Sequence, residues 1–291
     1  MDGTTAVDVG SEPLAVRERV HSTLRHLSQT GEIPSLPRVA TAALGVARDP
    51  DANVEKLCRI VESDMGLAAR LLRVSNSAFF GRRTPAKDLN AAILTVGFRQ
   101  TCDILVAAAA RRLYDTQSAA AGSLWNHALA VAVAAEEVAR VSRRVSAGNA
   151  FLPGLFHDIG RVAFLLADQA SFEVIQRLTD EGEGERNTFE REWYSADHAE
   201  AGAILAEDWG LAPDHVDAIR WHHAPSAADT APALATVVNA ADSLAYEIGV
   251  GTSTRPPEPI GLVELGIEGE EASACAQRVR EAFERQQQLF S

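Results

Sequence analysis

Gly154-Leu155-Phe156-His157-Asp158-Ile159-Gly160 sets an imidazole and a carboxylate side by side among apolar residues. The surrounding stretch reads as one helix from Pro153 to Leu166. A carboxylate buried in such surroundings costs several kcal/mol unless it is paired or bound to a cation. Outward from this pair, six of the eight histidines fall between positions 127 and 223. His127 shares a helical face with Leu124, Ala128 and Val131, and Asp242 shares one with Val238, Ala241 and Ala245. His198 opens His-Ala-Glu-Ala-Gly-Ala-Ile-Leu, and His222-His223 closes a helix just before Pro225.

Each of these residues has a plainer role when taken alone. His127 can be a packed core histidine, His157 can hydrogen-bond Asp158, and the helix dipole can hold His222-His223. His198, beside Asp197, can lie on the surface, and Asp242 can pair with Arg161. Five imidazoles and two carboxylates together ask for a common partner, and a divalent transition metal is the economical one. Iron, manganese and zinc accept imidazole nitrogen and carboxylate oxygen together. The expected arrangement is two ions. His127, His157, Asp158 and Asp242 hold the first, and Asp158, His198, His222 and His223 hold the second, with Asp158 as the bridge. No CxxC pair exists, so such a site relies on histidine and carboxylate. His215 is assigned to the surface.

The rest of the chain punctuates into helices. Residues 1–12 are small, polar and acidic, and read as a disordered tail. Val20, Leu24 and Leu27 mark a first helix, which Pro34 and Pro37 end. Further helices are predicted to about Ala47, from the cap Asn53, over Met65–Val74, Ala91–Val96, Gln100–Leu113 and Leu124–Val141, around Phe172–Leu178, and over His198–Trp209, Pro213–His223, Ala233–Ile248 and Ala272–Phe290. No strand alternation appears. The fold class is all-α: a two-lobed helical bundle with an N-terminal lobe over 13–118, a metal-site lobe over 119–250, and a linker plus C-terminal helix over 251–291. Asn76-Ser77 with Phe79-Phe80 is read as a helix end and an aromatic plug between the lobes. Val279, Phe283 and Phe290 give the last helix an apolar side that can pack in cis or in trans.

Composition narrows the function classes. Of 291 residues, 46% are hydrophobic and 23% charged, which suits a soluble globular protein. Residues 1–113 carry 15 Lys and Arg against 12 Asp and Glu, whereas residues 114–291 carry 12 against 28. The acidic second half argues against a nucleic-acid partner. Within 66–113, eight Lys and Arg face only Asp88 and Asp103, a patch suited to the acidic half. No run of eighteen apolar residues predicts a membrane span, and no leader is read at the start. With Cys58, Cys102 and Cys275 scattered, a cytoplasmic setting without disulfides is expected.

The ordered series resembles a known superfamily. Trp125-Asn126-His127, the His157-Asp158 segment and Asn239-Ala240-Ala241-Asp242 resemble the H…HD…D signature of HD phosphohydrolases. His198 and Trp221-His222-His223 resemble the additional ligands of HD-GYP phosphodiesterases. Upstream, Ile33-Pro34-Ser35-Leu36-Pro37, Ser63-Asp64-Met65-Gly66-Leu67, Arg73 to Gly81, and Ala91 to Gly97 resemble HDOD, the HD-related output domain. The likeness covers about residues 20 to 250. Three departures are visible. Ala224-Pro225-Ser226-Ala227 stands where HD-GYP enzymes have a Gly-Tyr-Pro loop, Arg161 where they carry a lysine, and Ser123 where some carry a glutamate for a third metal. The resemblance implies a regulatory output protein of signal transduction that binds a signalling partner and retains a dinuclear metal site. The alternative it implies is a metal-dependent phosphohydrolase acting on a cyclic dinucleotide or nucleotide, with Arg161 as phosphate clamp.

Overall fold

The computed structural model describes residues 35–76, 85–116, 118–254 and 256–290. Every regular element among them is helical. The first group comprises α1 (Arg38–Arg48), α2 (Val54–Glu62), α3 (Met65–Ser75), α4 (Leu89–Val96) and α5 (Phe98–Ala110). Side chains set several starts: Asn53 accepts from the Lys56 amide at 2.9 Å, and Asp64 accepts from Gly66 and Leu67. The expected N-terminal helix and the Phe79-Phe80 plug lie outside the described residues, as do Arg82 and Arg83. Arg111 pairs with Asp115 and Arg112 with Asp64, while Arg99 reaches Asn149 at 3.1 Å.

The second group is built around α6 (Ala119–Ser142), which is apolar on nearly every side and is buried accordingly. Against it lie α7 (Ala147–Phe156), α13 (Pro232–Glu247) and the terminal α15 (Gly269–Phe290). The remaining helices are α8 (Ile159–Ala167), α9 (Gln169–Glu181), α10 (Arg186–Tyr194), α11 (His198–Asp208), α12 (Pro213–Arg220) and α14 (Ile260–Leu265). Buried apolar residues from both groups form one continuous core. Cys275, Ala276, Val279 and Phe283 of α15 belong to it, so this helix packs in cis. The three cysteines are free and buried. Ala147–Ala167 is apolar and long enough to resemble a membrane span, but 89% of its most apolar window is buried inside the protein, which accounts for its hydropathy.

Three expectations need correction. The single helix over Pro153–Leu166 is two helices, because Asp158 leaves the helical path (φ −101°, ψ 12°) between α7 and α8. The turn sends its carboxylate inward, and apolar residues on both sides conceal it from a hydropathy reading. Helices α10 and α14 were not anticipated, since charge dominates one and prolines precede the other. His215 is buried, not on the surface, and its Nε2 meets Asn149 Oδ1 at 3.0 Å.

Glycine 160 lets α8 approach α11. A Cβ there would lie 2.1 Å from the His198 carbonyl oxygen and 2.9 Å from the Gly202 nitrogen. Both are backbone atoms, so a helix would have to move. Gly160→Ala is expected to lose about 2–4 kcal/mol in urea denaturation; unchanged stability would show that the helices need no such approach. Asp103, buried in α5 with Oδ1 unpartnered, has its pKa pushed up to about 8, chiefly by burial. Its pKa lies above the unfolded value, so the folded state keeps a proton that the unfolded chain releases. Stability then declines as pH rises from about 4 to about 8. Asp103→Asn should raise the Tm at pH 8 and leave it nearly unchanged at pH 4; equal gains at both pH values would refute this account.

Candidate metal centre

Five separate pieces of chain meet at Asp158. His127 comes from the middle of α6, His157-Asp158 from the α7–α8 junction, and His198 from the first turn of α11. His222-His223 follow α12, and Asp242 lies within α13. All seven residues named from sequence come together here. Six are buried and His223 is half-buried. Asp158 Oδ1 lies 3.1 Å from His198 Nε2, 3.6 Å from His157 Nε2 and 4.0 Å from His222 Nε2. Its other oxygen faces His127 Nε2 at 3.8 Å, and that nitrogen is 3.1 Å from Asp242 Oδ1. Two ligand groups result, His127-His157-Asp158 and His198-His222-His223.

The backs of the rings decide what the fronts can do. His127 Nδ1 lies 2.8 Å from the Val250 carbonyl, His157 Nδ1 2.8 Å from that of Gly154, and His222 Nδ1 2.7 Å from that of Ile219. A carbonyl only accepts, so each of these nitrogens must carry the proton. The Nε2 of His157 and of His222 is then left with a lone pair directed at the centre, whereas His127 Nε2 faces the Asp242 carboxylate, which outweighs burial and raises the pKa of that ring. His198 is held the same way by a carboxylate, Glu190 Oε2 at 2.6 Å, which also accepts the His198 backbone amide at 2.8 Å. His157 Nε2, His222 Nε2 and Asp242 Oδ1 are buried without a hydrogen-bond partner. Lone pairs facing lone pairs and carboxylate oxygens repel, and a cation removes that conflict. The donor set suits a divalent transition ion in either group.

Electrostatics divides the rings: three are driven towards the neutral form, while carboxylates hold His127 and His198 towards the charged one. Burial drives the His157 and His222 rings towards the neutral form, His222 down to about 4. Burial likewise lowers His223, which adjoins His222. Asp158 stays well below the carboxylate range: burial opposes its charge, but His157, Arg161 and His198 outweigh it. His198 is pushed up to about 10, since Glu190 and Asp158 overcome the burial of its ring. His198 Nε2 is 2.8 Å from His223 Nε2 as well as 3.1 Å from Asp158. One proton on that nitrogen serves one contact, whereas a divalent ion serves both.

Arg161 pairs with Asp158 at 2.7 Å, not with Asp242. It also donates to Thr252 Oγ1 at 2.6 Å and Gln176 Oε1 at 3.2 Å. Beside it the site opens into a cavity of about 510 Å³ that reaches His223, Asp242, Tyr246, Arg186 and Pro256. Sequence reasoning missed Glu190, Arg186 and the Val250 carbonyl. No local signal marks them, because each acquires its role only through the packing of distant helices.

The sequence pattern of the HDOD domain matches residues 33–225. The chain belongs to the HDOD family. Six of the seven clustered residues lie inside the HDOD match, and Asp242 lies beyond it. An uncharacterised protein of Treponema pallidum (strain Nichols) is 27% identical over 264 residues, which is 88% of this chain and 50% of that protein. The chain thus spans about half the length of the curated relative it matches. A Geobacter sulfurreducens HDOD domain protein of unknown function shares the fold with a TM-score of 0.71 and 22% identity, covering 94% of this chain and 95% of that one. A Marinobacter aquaeolei VT8 protein with a provisional signal-transduction description gives 0.77 and 22%, covering 98% and 67%. A Shewanella amazonensis SB2B protein provisionally named a metal-dependent phosphohydrolase gives 0.60 and 19%, covering 91% and 99%. Likenesses at these identities establish the HDOD fold.

The Glu190–His198 pair yields a test of the site's own framework. Glu190→Ala strands two buried donors and should cost about 3–5 kcal/mol in chemical denaturation. Glu190→Gln keeps an acceptor and should cost less than half as much; equal losses would show that acceptor geometry is not what Glu190 provides.

Proposed function

We propose that this chain is a regulatory signalling module that holds two divalent transition-metal ions in its second helical group. The supporting observation is the convergence of imidazole Nε2 atoms on Asp158, with the proton of three rings fixed on the far side by backbone carbonyls. In this reading His127, His157, Asp158 and Asp242 hold one ion, His198, His222 and His223 hold the other, and Asp158 bridges them. Glu190, Val250, Gly154 and Ile219 orient the ligands from behind, a layer that typically changes metal affinity by 10–100-fold. The protein partner is another signalling protein. Family membership and the signal-transduction description of the Marinobacter neighbour support that context.

One observation favours a second reading, a metal-dependent phosphohydrolase: the centre is open to a cavity large enough for a small ligand, with Arg161 on its wall. Paired divalent ions, when bound, activate water and neutralise charge on a phosphate. The residues of the chain would bind and orient the substrate. Tyr246, Ser253, Pro256 and Pro257 line the cavity, and the buried Arg161 would fix the carboxylate between the two ion positions.

Elemental analysis decides the first reading. Protein loaded with manganese, iron or zinc should carry close to two ions. Asp158→Ala should lose both, Asp242→Ala mainly one, and His223→Ala mainly the other. A folded wild-type chain with less than one ion after loading would remove the proposal. For the second reading, loaded protein should cleave a cyclic dinucleotide or nucleotide faster than its Asp158→Ala variant, and equal rates would reject it.

A further inference from the structure

The wall of the cavity above the metal centre contains a guanidinium whose charge has no direct partner among the described residues. Arg186, at the start of α10, donates through Nη2 to Gln176 Oε1 at 2.9 Å, a neutral acceptor. Its Nη1 is buried and has no hydrogen-bond partner. Arg161 donates to the same Gln176 oxygen, so the two guanidiniums converge on one amide. Arg161 is compensated by Asp158, but Arg186 is not paired in this way. Burial and the neighbouring Arg161 lower its pKa to about 10, which still leaves it charged near neutrality.

Arg186 as a whole is half-buried, but a buried N–H left unused on a cation is costly unless a ligand meets it. Charge balance identifies the kind of ligand. Asp158, Asp242 and Glu190 supply three negative charges, and Arg161 with Arg186 supplies two positive ones. Two divalent ions add four more positive charges. Arg191, also on the wall, is paired with Asp197, and the remaining wall carboxylates, Glu185 and Glu258, are exposed, where charges offset little. The excess is positive and concentrated where Arg186 and the metal positions face the same space. Phosphate suits it, since its oxygens accept from a guanidinium and ligate metal at once. The walls also carry Tyr246, Pro256, Pro257 and Ile260, which offer apolar and ring surface beyond what a bare anion needs.

We infer that this cavity binds a small organic phosphate, with Arg186 donating to the phosphate oxygens on one side and the metal pair lying on the other. The inference rests on the metal reading above; the phosphate class is shared with the second reading, and what is added is the residue that anchors it, whether or not the ligand is turned over. Arg161 is occupied by Asp158, Thr252 and Gln176 and acts as a positioning residue for the carboxylate bridge. Arg186 is the direct contact.

Calorimetric titration of the manganese-loaded full chain with inorganic phosphate and with AMP tests this, alongside metal content and Tm. AMP should bind at least as tightly as inorganic phosphate. Arg186→Gln should weaken both by about tenfold or more, with metal content unchanged, as expected for the loss of a charge-assisted hydrogen bond. Arg186→Lys should recover part of the affinity, which a merely structural role would not predict. Equal affinities in wild type and Arg186→Gln, or no binding of either probe to loaded protein, overturn the inference while the metal reading stands. Inorganic phosphate binding more tightly than AMP overturns the organic ligand. A chain that takes up no metal yet loses phosphate affinity in Arg186→Gln sinks the metal centre and leaves the guanidinium contact standing.

Discussion

An ionised carboxylate cannot lie in the middle of a helical core unless the chain around it is arranged to compensate its charge, and Asp158 imposes that condition here. The chain leaves its helical path at Asp158, between α7 and α8. Arg161, one turn later, brings a guanidinium to Asp158. Gly160, between them, allows the backbone of α8 to come close to the first turn of α11, which delivers His198 to the other carboxylate oxygen. Three features within the four residues from Asp158 to Arg161 thus follow from one requirement, and each would be a liability in an ordinary core helix.

The histidines extend the same logic to more distant chain. Their rings point inward because their outer nitrogens are tied to carbonyls at helix ends and in loops, where backbone acceptors remain free after the helical ladder stops. His157 and His222 use the same local device, a ring bonded to the carbonyl three residues earlier. His127 uses a remote one, the Val250 carbonyl. That choice makes the segment after α13 part of the site. Thr252 continues the link to Arg161, and Gln176 bonds the Thr252 carbonyl at 3.0 Å. The centre is therefore completed by chain lying beyond the matched HDOD segment.

The clustered residues were legible in the sequence because histidine and aspartate are conspicuous in apolar helices, and their order along the chain follows a known signature. The helix count was nearly legible for the same reason of patterning. What escaped was whatever depends on who packs against whom. Glu190 sits in a helix crowded with charges, and nothing local separates it from its exposed neighbour Glu192. His215 is polar at a position that becomes buried against α7. Arg186 follows a glycine-rich loop and reads as surface, yet it bonds Gln176 on the cavity wall. The break at Asp158 escaped because hydropathy is continuous across it, and only the direction of the carboxylate reveals the turn.

This arrangement gives the centre a physical route to the protein's exterior. Thr252 bonds Arg161, Thr254 bonds Asp180 at 2.9 Å, and the segment carrying both leads into α14 and then α15, which packs along α6 beside His127. A ligand that competes with Thr252 for Arg161 must shift that segment or accept its hydroxyl as a further contact. In the first case, occupancy of the cavity is linked to the placement of two helices that present surface to solvent. The size of that linkage is the difference in ligand affinity between the two placements and nothing more. On the proposed reading, a metal pair held by residues from five chain segments would do more than stabilise a lobe. It would make the geometry of those segments depend on what the cavity holds, which is the property a signalling module requires.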